Sequence, residues 1–107
     1  MGDKELLELA AKAALLEYHH ENGIIRTAAR SGGYTPWNPL KDDGDALRLA
    51  NHLCMSVSTG PCTARATTIA GALRGAFFEE DTCHQDQDEA VRRVIVRCAA
   101  EVGEAKP

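Results

Sequence analysis

Residues 34–45 read YTPWNPLKDDGD, and this stretch decides how the rest of the chain is arranged. Its tryptophan, the only one in the chain, lies between two prolines. A proline disfavours the helical conformation in the residue before it, so Thr35 and Asn38 are both held extended. The chain therefore reaches Leu40 as a stiff segment before any helix can begin. We expect Trp37 to fold back from this segment into the core.

The aspartates that follow predict the start of a helix. Asp42 is a suitable N-cap residue, and Asp45 stands three residues later, as in a capping box. Calcium loops also contain several aspartates, but residues 42–45 lack their alternating oxygen ligands and their distal glutamate. We therefore interpret these carboxylates as helix caps. The predicted helix continues with an apolar series, formed by Ala46, Leu47, Leu49, Ala50 and Leu53.

Two further helices are predicted, one towards each end of the chain. Residues 3–18 carry apolar side chains at helical spacing behind an Asp3 cap, and residues 22–23 are expected to end this helix. The last helix begins at Asp86 and ends at Gly103. Its apolar stripe has near-heptad spacing and consists of Ala90, Val91, Val94, Ile95, Cys98, Ala99 and Val102.

Between the helices, β-branched residues alternating with polar ones predict short strands. The first two cover residues 24–27 and 34–37. Three more are expected from residue 55 onward, over residues 62–69 and over residues 73–79, with a hairpin at Ala70-Gly71. We therefore expect an α+β domain in which three helices pack on one face of a small, mostly antiparallel sheet. The predicted order is α-β-(β)-α-β-β-β-α.

The size and charge of the chain restrict its function. Its 107 residues are expected to form one domain, residues 1–107, with a frayed tail over residues 103–107. The formal net charge of −4 argues against a nucleic-acid partner, because such binding depends on clustered lysine and arginine. The last helix does carry a basic cluster, which we interpret as a solvated helix face and which consists of Arg92, Arg93 and Arg97. Because no apolar run could span a bilayer and no secretory signal begins the chain, we expect a cytoplasmic protein without a membrane partner.

Four cysteines and four histidines raise the question of a metal site. Structural zinc sites usually supply their ligands as closely spaced pairs, and the chain contains no CxxC motif. In the cytoplasm the thiols are expected to be reduced. We therefore predict neither a metal nor another cofactor. The candidate ligands of a zinc site are His19, His20, His52, Cys54, Cys62, Cys83 and His84.

The sequence also lacks the usual motifs of catalysis. Cys83 and His84 are adjacent, but neighbouring side chains diverge, whereas nucleophilic catalysis needs the thiol and the imidazole in contact. No glycine-rich loop that would hold a nucleotide phosphate is present. We predict no catalytic residues and no enzymatic activity.

The strongest local charge bias lies in residues 79–89, which we call the acidic segment. An acidic surface can bind a basic surface of another protein. We predict a protein-binding surface formed by this segment and by the exposed parts of residues 34–41. The predicted contact residues are Tyr34, Lys41, Glu79, Glu80, Asp81, Asp86 and Asp88. The oligomeric state stays open, since a sheet edge or the last helix could pair two copies into a homodimer.

Three blocks of the sequence resemble a known group of proteins. They read DKELLELAAKAA at residues 3–14, WNPLKDDGDALRLA at residues 37–50 and AVRRVIVRCAAEVGEA at residues 90–105. In this order they are similar to small proteins encoded by tailed bacteriophages and prophages of proteobacteria. The middle block is the most specific, and residues 19–34 and 54–84 carry no such similarity.

The resemblance implies a biological setting without assigning an activity. A short accessory gene of a phage acts in the cytoplasm of the bacterial host, and its product often occludes a host protein stoichiometrically. A CRISPR effector or another defence component is a typical target. From this setting we expect a non-catalytic protein that binds a host protein and inhibits a defence system such as CRISPR. A small zinc-binding or nucleic-acid-associated regulator is the alternative.

Overall fold

The computed structural model describes residues 2–14, 18–21, 24–28, 34–60, 63–68, 76–81 and 86–105. Within these residues the chain forms three helices and six strands, which is an α+β fold, as predicted. In chain order they are α1 (Asp3–Ala13), β1 (Tyr18–Glu21), β2 (Ile24–Ala28), β3 (Tyr34–Pro36), α2 (Asp43–His52), β4 (Ser56–Gly60), β5 (Thr63–Thr68), β6 (Ala76–Asp81) and α3 (Gln87–Ala105).

The described strands form two antiparallel sheets, so the prediction of a single sheet is wrong. β1, β2 and β3 make up the first sheet in that order, and β4, β5 and β6 make up the second. α2 lies between the two groups of strands in the chain. The sequence pattern could not show this division, because alternation identifies strands without specifying which strands pair.

The first sheet begins with a strand that the sequence analysis missed. α1 ends at Ala13, whereas a helix through residue 18 was predicted, and β1 takes up Tyr18–Glu21 instead. This strand pairs with β2, with Tyr18 opposite Thr27. Residues 22–23 read Asn-Gly, which is a strong hairpin signal, and interpreting them as the exit of a helix was the error.

The other strand predictions are largely confirmed. β2, β3, β4 and β5 agree with the predicted strands to within a residue or two at their ends. β6 starts at Ala76 and ends at Asp81, later than the predicted strand over residues 73–79. The predicted hairpin at Ala70-Gly71 lies outside the described residues.

The longest helix, α3, lies at the centre of the fold. It contacts α1, α2 and the second sheet, where it packs mainly on β5 and β6. A helix that is apolar on several sides needs neighbours on several sides, and the buried residues of α3 include Val94, Val96, Cys98, Ala99 and Val102. The prediction that the three helices share one sheet face is therefore wrong. α3 covers the second sheet, and α1 and α2 pack against α3.

The predicted end of α3 at Gly103 is also wrong. The helix continues to Ala105, and Gly103 is buried within it. A Cβ atom at Gly103 would lie 2.0 Å from the carbonyl oxygen of Leu9 in α1. The glycine is needed because the backbones of the two helices meet at this point. A glycine near the end of an apolar stripe is typical of a C-cap, but close packing explains this one.

Candidate functional site

The joint that leads into α2 has one of the two hydrogen bonds of the predicted capping box. Asp42 is the N-cap residue, and its Oδ2 accepts a hydrogen bond from the N–H of Asp45 at 2.8 Å. The Asp45 carboxylate does not accept a hydrogen bond from the backbone N–H of Asp42, as it would in a capping box. Its Oδ2 accepts from the N–H of Asn38 at 2.9 Å, and its Oδ1 accepts from Arg48 at 2.8 Å. The aspartates thus stabilise the helix start and the proline-flanked segment together.

A pocket of about 440 Å³ opens beside this joint. Trp37 forms part of its wall and is only 7% exposed, which confirms the predicted burial. The N–H of Trp37 donates to the carbonyl oxygen of Ile25 at 2.8 Å and extends the pairing of β2 with β3. The polar residues that line the pocket already bond to one another or to nearby backbone, and they are Asn38, Asp42, Asp45 and Arg48. We therefore regard this pocket as a product of the joint.

A second depression, which we call the groove, has a different character. It has a volume of about 370 Å³ and lies between α2, β4 and α3. Buried aliphatic groups of Ala46, Ala50 and Ile95 form its floor. Its walls include the two large apolar side chains that the described residues leave most exposed, Leu47 at 61% and Val57 at 39%. The remaining lining residues are Asp43, Thr59, Gln87, Asp88, Val91 and Arg92.

The register of the second sheet explains why Val57 is exposed. Val57 lies opposite Ala66, and Thr59 lies opposite Ala64, so these four residues share one face of the sheet. Both alanines are 0% exposed, because this is the face that α3 covers over β5. α3 has far less contact with β4. The inner face of the sheet therefore continues beyond its helical cover and forms one wall of the groove.

The start of α3 is fixed beside the groove by its own cap. Asp86 Oδ1 accepts hydrogen bonds from the N–H groups of Asp88 at 2.9 Å and Glu89 at 3.2 Å, which confirms the predicted cap. The side-chain amide of Gln87 donates to the carbonyl oxygen of Thr63 at 3.2 Å. These bonds tie the first turn of α3 to the beginning of β5. They hold Asp88 at the edge of the apolar floor.

An arginine connects the other side of the groove. Nε of Arg92 donates to the carbonyl oxygen of Leu40 at 3.0 Å, and Nη1 pairs with Oδ1 of Asp43 at 2.5 Å. The pKa of Arg92 is raised, mainly by the hydrogen bond to Asp43; burial lowers it, and the charges of Asp43, Asp86 and Asp88 raise it further. The side chain of Arg92 is only 17% exposed. The prediction that Arg92 belongs to a solvated helix face is therefore wrong. It anchors α2 to α3.

The charges around the groove are therefore mainly negative. Three carboxylates, from Asp43, Asp86 and Asp88, act on the single guanidinium of Arg92. Arg92 neutralises one of them, and the Asp86 and Asp88 side chains are exposed. The groove combines exposed apolar walls with an acidic rim, which is the composition of a surface that binds a partner.

The predicted contact residues do not form one continuous surface. Asp86 and Asp88 lie at the start of α3 beside the groove, and Lys41 is exposed on the segment before α2. Tyr34 lies in β3, and the strand β6 contains Glu79, Glu80 and Asp81; the side chains of these four residues lie outside the described part of the structure.

The residues that the sequence analysis did not single out for binding are the apolar ones. Leu47 was assigned to the apolar series of α2. However, the buried positions of this helix, Ala46, Leu49 and Ala50, follow helical spacing, and Leu47 points away from them. The position of Leu47 beside the buried stripe was the sequence feature that could have indicated its exposure. Val57 gave no such signal, because its exposure depends on where α3 stops covering the sheet.

The thiols and imidazoles do not assemble in the described residues. Within these ranges no group of three side chains from histidine, cysteine, aspartate or glutamate could hold a metal ion. Cys54 is exposed, and Cys98 is buried in α3. Cys62, Cys83 and His84 lie outside the described residues, as do the side chains of His19 and His20. The absence of a metal and of catalysis therefore remains a prediction.

The chain matches no protein-family model, no curated protein and no solved structure. None of the helices described above has the length and apolar character needed to cross a bilayer.

Proposed function

We propose that this protein acts by binding another protein through the groove and that it catalyses no reaction. The observation that supports this function is the pair of exposed apolar side chains, Leu47 and Val57, above a buried floor and beside an acidic rim. Leaving them in water costs roughly 25 cal/mol for each Å² of apolar surface, which a partner would recover on binding. The residues that contribute most of the binding free energy are expected in such an apolar site, where the surrounding contacts exclude water.

The setting of this function comes from the resemblance to phage proteins. We propose that the partner is a protein of the bacterial host, in its cytoplasm, and that a defence component such as a CRISPR effector is inhibited by occlusion. Asp86 and Asp88 belong to the rim of the groove, so part of the acidic segment takes part in the same surface. Contacts through Tyr34, Lys41, Glu79, Glu80 and Asp81 form a separate part of the proposal.

The apolar walls give the direct test of binding. A double variant with Leu47→Ser and Val57→Thr removes apolar surface without opening the core. We expect a complex purified from host extract with the wild-type chain to re-form at a fixed stoichiometry, measured by light scattering. The double variant should weaken this complex by at least about tenfold, which corresponds to roughly 1.4 kcal/mol.

Two matched variants serve as controls. Ser58→Thr introduces the same residue next to Val57 in β4, and Glu104→Lys changes an exposed charge near the end of α3. Both should bind like the wild type. If the double variant binds as tightly as these controls, the groove is not the binding surface. Charge reversal at Glu79, Glu80 and Asp81 tests the contribution of β6 separately.

The proposed inhibition of defence needs a cellular test. Expression of the wild-type chain in a host with an active CRISPR system should restore plating of a phage that the system targets. The Leu47→Ser, Val57→Thr variant should not restore it at equal protein abundance. Equal plating with and without the chain would contradict the proposal that the partner is a defence component. Binding through the groove is tested separately by the double variant.

A further inference from the structure

Among the described strands, one edge of the second sheet has no neighbour, and this edge lies beside the groove. Within the described strands β4 pairs with β5 alone, at the end of the order β4-β5-β6. Ser56, Val57, Ser58 and Thr59 are all exposed. A strand in this position presents a row of backbone N–H and C=O groups that can pair with another strand.

β4 also lacks the features that usually protect such an edge. Proteins block exposed edges with charged side chains, prolines or bulges. Among the described edge strands, β1 reads YHHE, β3 reads YTP and β6 reads AFFEED, so each contains an acid or a proline. β4 reads SVSTG and contains neither. Its register with β5 runs without a bulge from Ser56 opposite Thr67 to Gly60 opposite Thr63.

The open edge and the groove lie side by side. Val57 and Thr59 of β4 form one wall of the groove, and Leu47 of α2 belongs to the opposite wall. A strand added next to β4 would direct alternate side chains towards the same face as Val57, because side chains alternate across a sheet. Those side chains would enter the space above Ala50 and Ile95. A volume of about 370 Å³ suits a few side chains better than a whole helix.

The rim indicates what charge the added strand carries. Asp43 and Asp88 line the groove, and Asp86 lies next to it. A second copy of this chain would bring the same carboxylates together across a two-fold axis, which is unfavourable. A strand with lysine or arginine beside its apolar residues would instead pair with them. Charge complementarity therefore selects a basic partner segment over self-association.

From these observations we propose that β4 and the groove bind an extended segment of the partner by strand addition. The segment pairs its backbone with the open edge of β4. One face of it carries apolar side chains at alternate positions, which fill the groove, and a lysine or arginine at either end, which contacts the acidic rim. This inference rests on the proposed function and specifies the form and charge of the bound segment.

The test uses the full-length protein and synthetic heptapeptides. The probe is Lys-Thr-Val-Thr-Val-Thr-Lys with blocked ends, which places both valines and both lysines on one face of a strand. Titration followed by NMR should shift the amide signals of residues 56–60, and hydrogen exchange at the outward-facing amides of β4 should slow by about tenfold or more at saturation. Leu47→Ser, which removes apolar surface without changing the charge of the rim, should weaken binding by at least about tenfold while its own fold, judged by the spectrum, is unchanged.

Three altered peptides separate the contributions without changing the protein. Methylation of alternate backbone nitrogens on the pairing edge should abolish binding, because it removes the strand hydrogen bonds and keeps the side chains. Replacing both lysines by glutamates should weaken binding by at least about tenfold. A helix-forming peptide with the same number of valines and lysines should bind more weakly than the probe.

Several results would overturn the inference. They are an equal affinity of the methylated peptide, tighter binding of the glutamate or helical peptide, no binding of the probe at millimolar concentration, and concentration-dependent self-association that protects β4. If the host complex depends on Leu47 and Val57 while the methylated peptide binds like the probe, strand addition fails and the proposed function stands. If the probe binds as expected while the host complex is insensitive to Leu47 and Val57, the proposed function fails instead.

Discussion

α3 has two flanks that are packed in opposite ways. Against α1, whose buried face consists of Leu7 and three alanines, the helices come so close that the backbone of Gly103 meets that of Leu9. On the flank towards α2 and β4, an arginine spans the distance, and larger side chains stay in water above the groove. Small residues therefore allow two helices to pack in close contact. Where larger residues keep the elements apart, a surface remains that a partner can occupy.

The largest effect is expected at the closed flank. Gly103→Ala places a Cβ atom 2.0 Å from a backbone oxygen that cannot move without shifting α1. We expect the free energy of unfolding to fall by about 3 kcal/mol, at the upper end of overpacking effects, as measured by urea denaturation. Gly44→Ala is the matched control, because its Cβ would meet side-chain atoms of Arg48 and Asp42 at 3.2 Å and no backbone atom within 4 Å is among its three nearest contacts. It should cost far less than Gly103→Ala.

The burial of Cys98 in α3 can be tested by measuring stability as a function of pH. Burial raises the pKa of the Cys98 thiol to about 11 from its usual 9.0, with a further contribution from the charge of Glu101. Between these values the unfolded chain has lost a proton that the folded chain keeps, so stability falls as pH rises. The difference corresponds to about 2–3 kcal/mol. In urea unfolding at pH values from 8 to 11, the wild-type chain should lose about this much more free energy of unfolding than the Cys98→Ala chain.

The open flank depends on the arginine that spans it. Arg92→Met keeps the length of the side chain and removes its bonds to Leu40 and Asp43. Because the Asp43 carboxylate of the ion pair is largely exposed, most of the loss should come from the bond to the carbonyl oxygen, and we expect about 1.5 kcal/mol in urea unfolding. Arg93→Met, which removes an exposed pair with Glu89, should cost less than about 0.5 kcal/mol. Equal losses would show that Arg92 is no anchor.

A substitution at the joint between α2 and β4 is expected to stabilise the chain. Cys54 has a φ of 52°, in the left-handed region, and the N–H of Met55 donates to the carbonyl oxygen of Ala50 at 2.9 Å. This geometry is a Schellman motif, in which glycine is usual. Cys54→Gly should therefore stabilise the chain by about 1 kcal/mol, seen as a higher midpoint of unfolding. Cys54→Val should destabilise it, because a β-branched side chain adopts this conformation poorly.

The smallest effect on stability is expected in the groove itself. Leu47→Ser changes a side chain that is 61% exposed, and the free energy of unfolding should change by less than about 0.5 kcal/mol. Leu49→Ser, two residues further along the same helix and buried, should cost several times more. A large loss for Leu47→Ser would mean that the groove is part of the core, and the comparison between the two flanks would fail.

The parts of the site that follow local rules could be predicted. Asp42 and Asp86 cap their helices through bonds to residues two or three positions ahead, and the sequence contains both ends of these bonds. Trp37 is buried because the prolines around it fix a direction and a large apolar ring needs cover. The groove could not be predicted, since it depends on the length of sheet that α3 covers and on the distance at which Arg92 holds α2.

Taken alone, the sequence determined the class of fold, the starts of α2 and α3, and most of the strands, because each depends on neighbours a few residues apart. It also pointed to acidic side chains that lie at the rim of the groove. The packing of remote elements was needed to show that the described strands form two sheets, that Gly103 belongs to a helix contact, and that Leu47 and Val57 stay exposed. These features depend on distances between elements that are remote in the chain, and residue patterns along one element do not encode them.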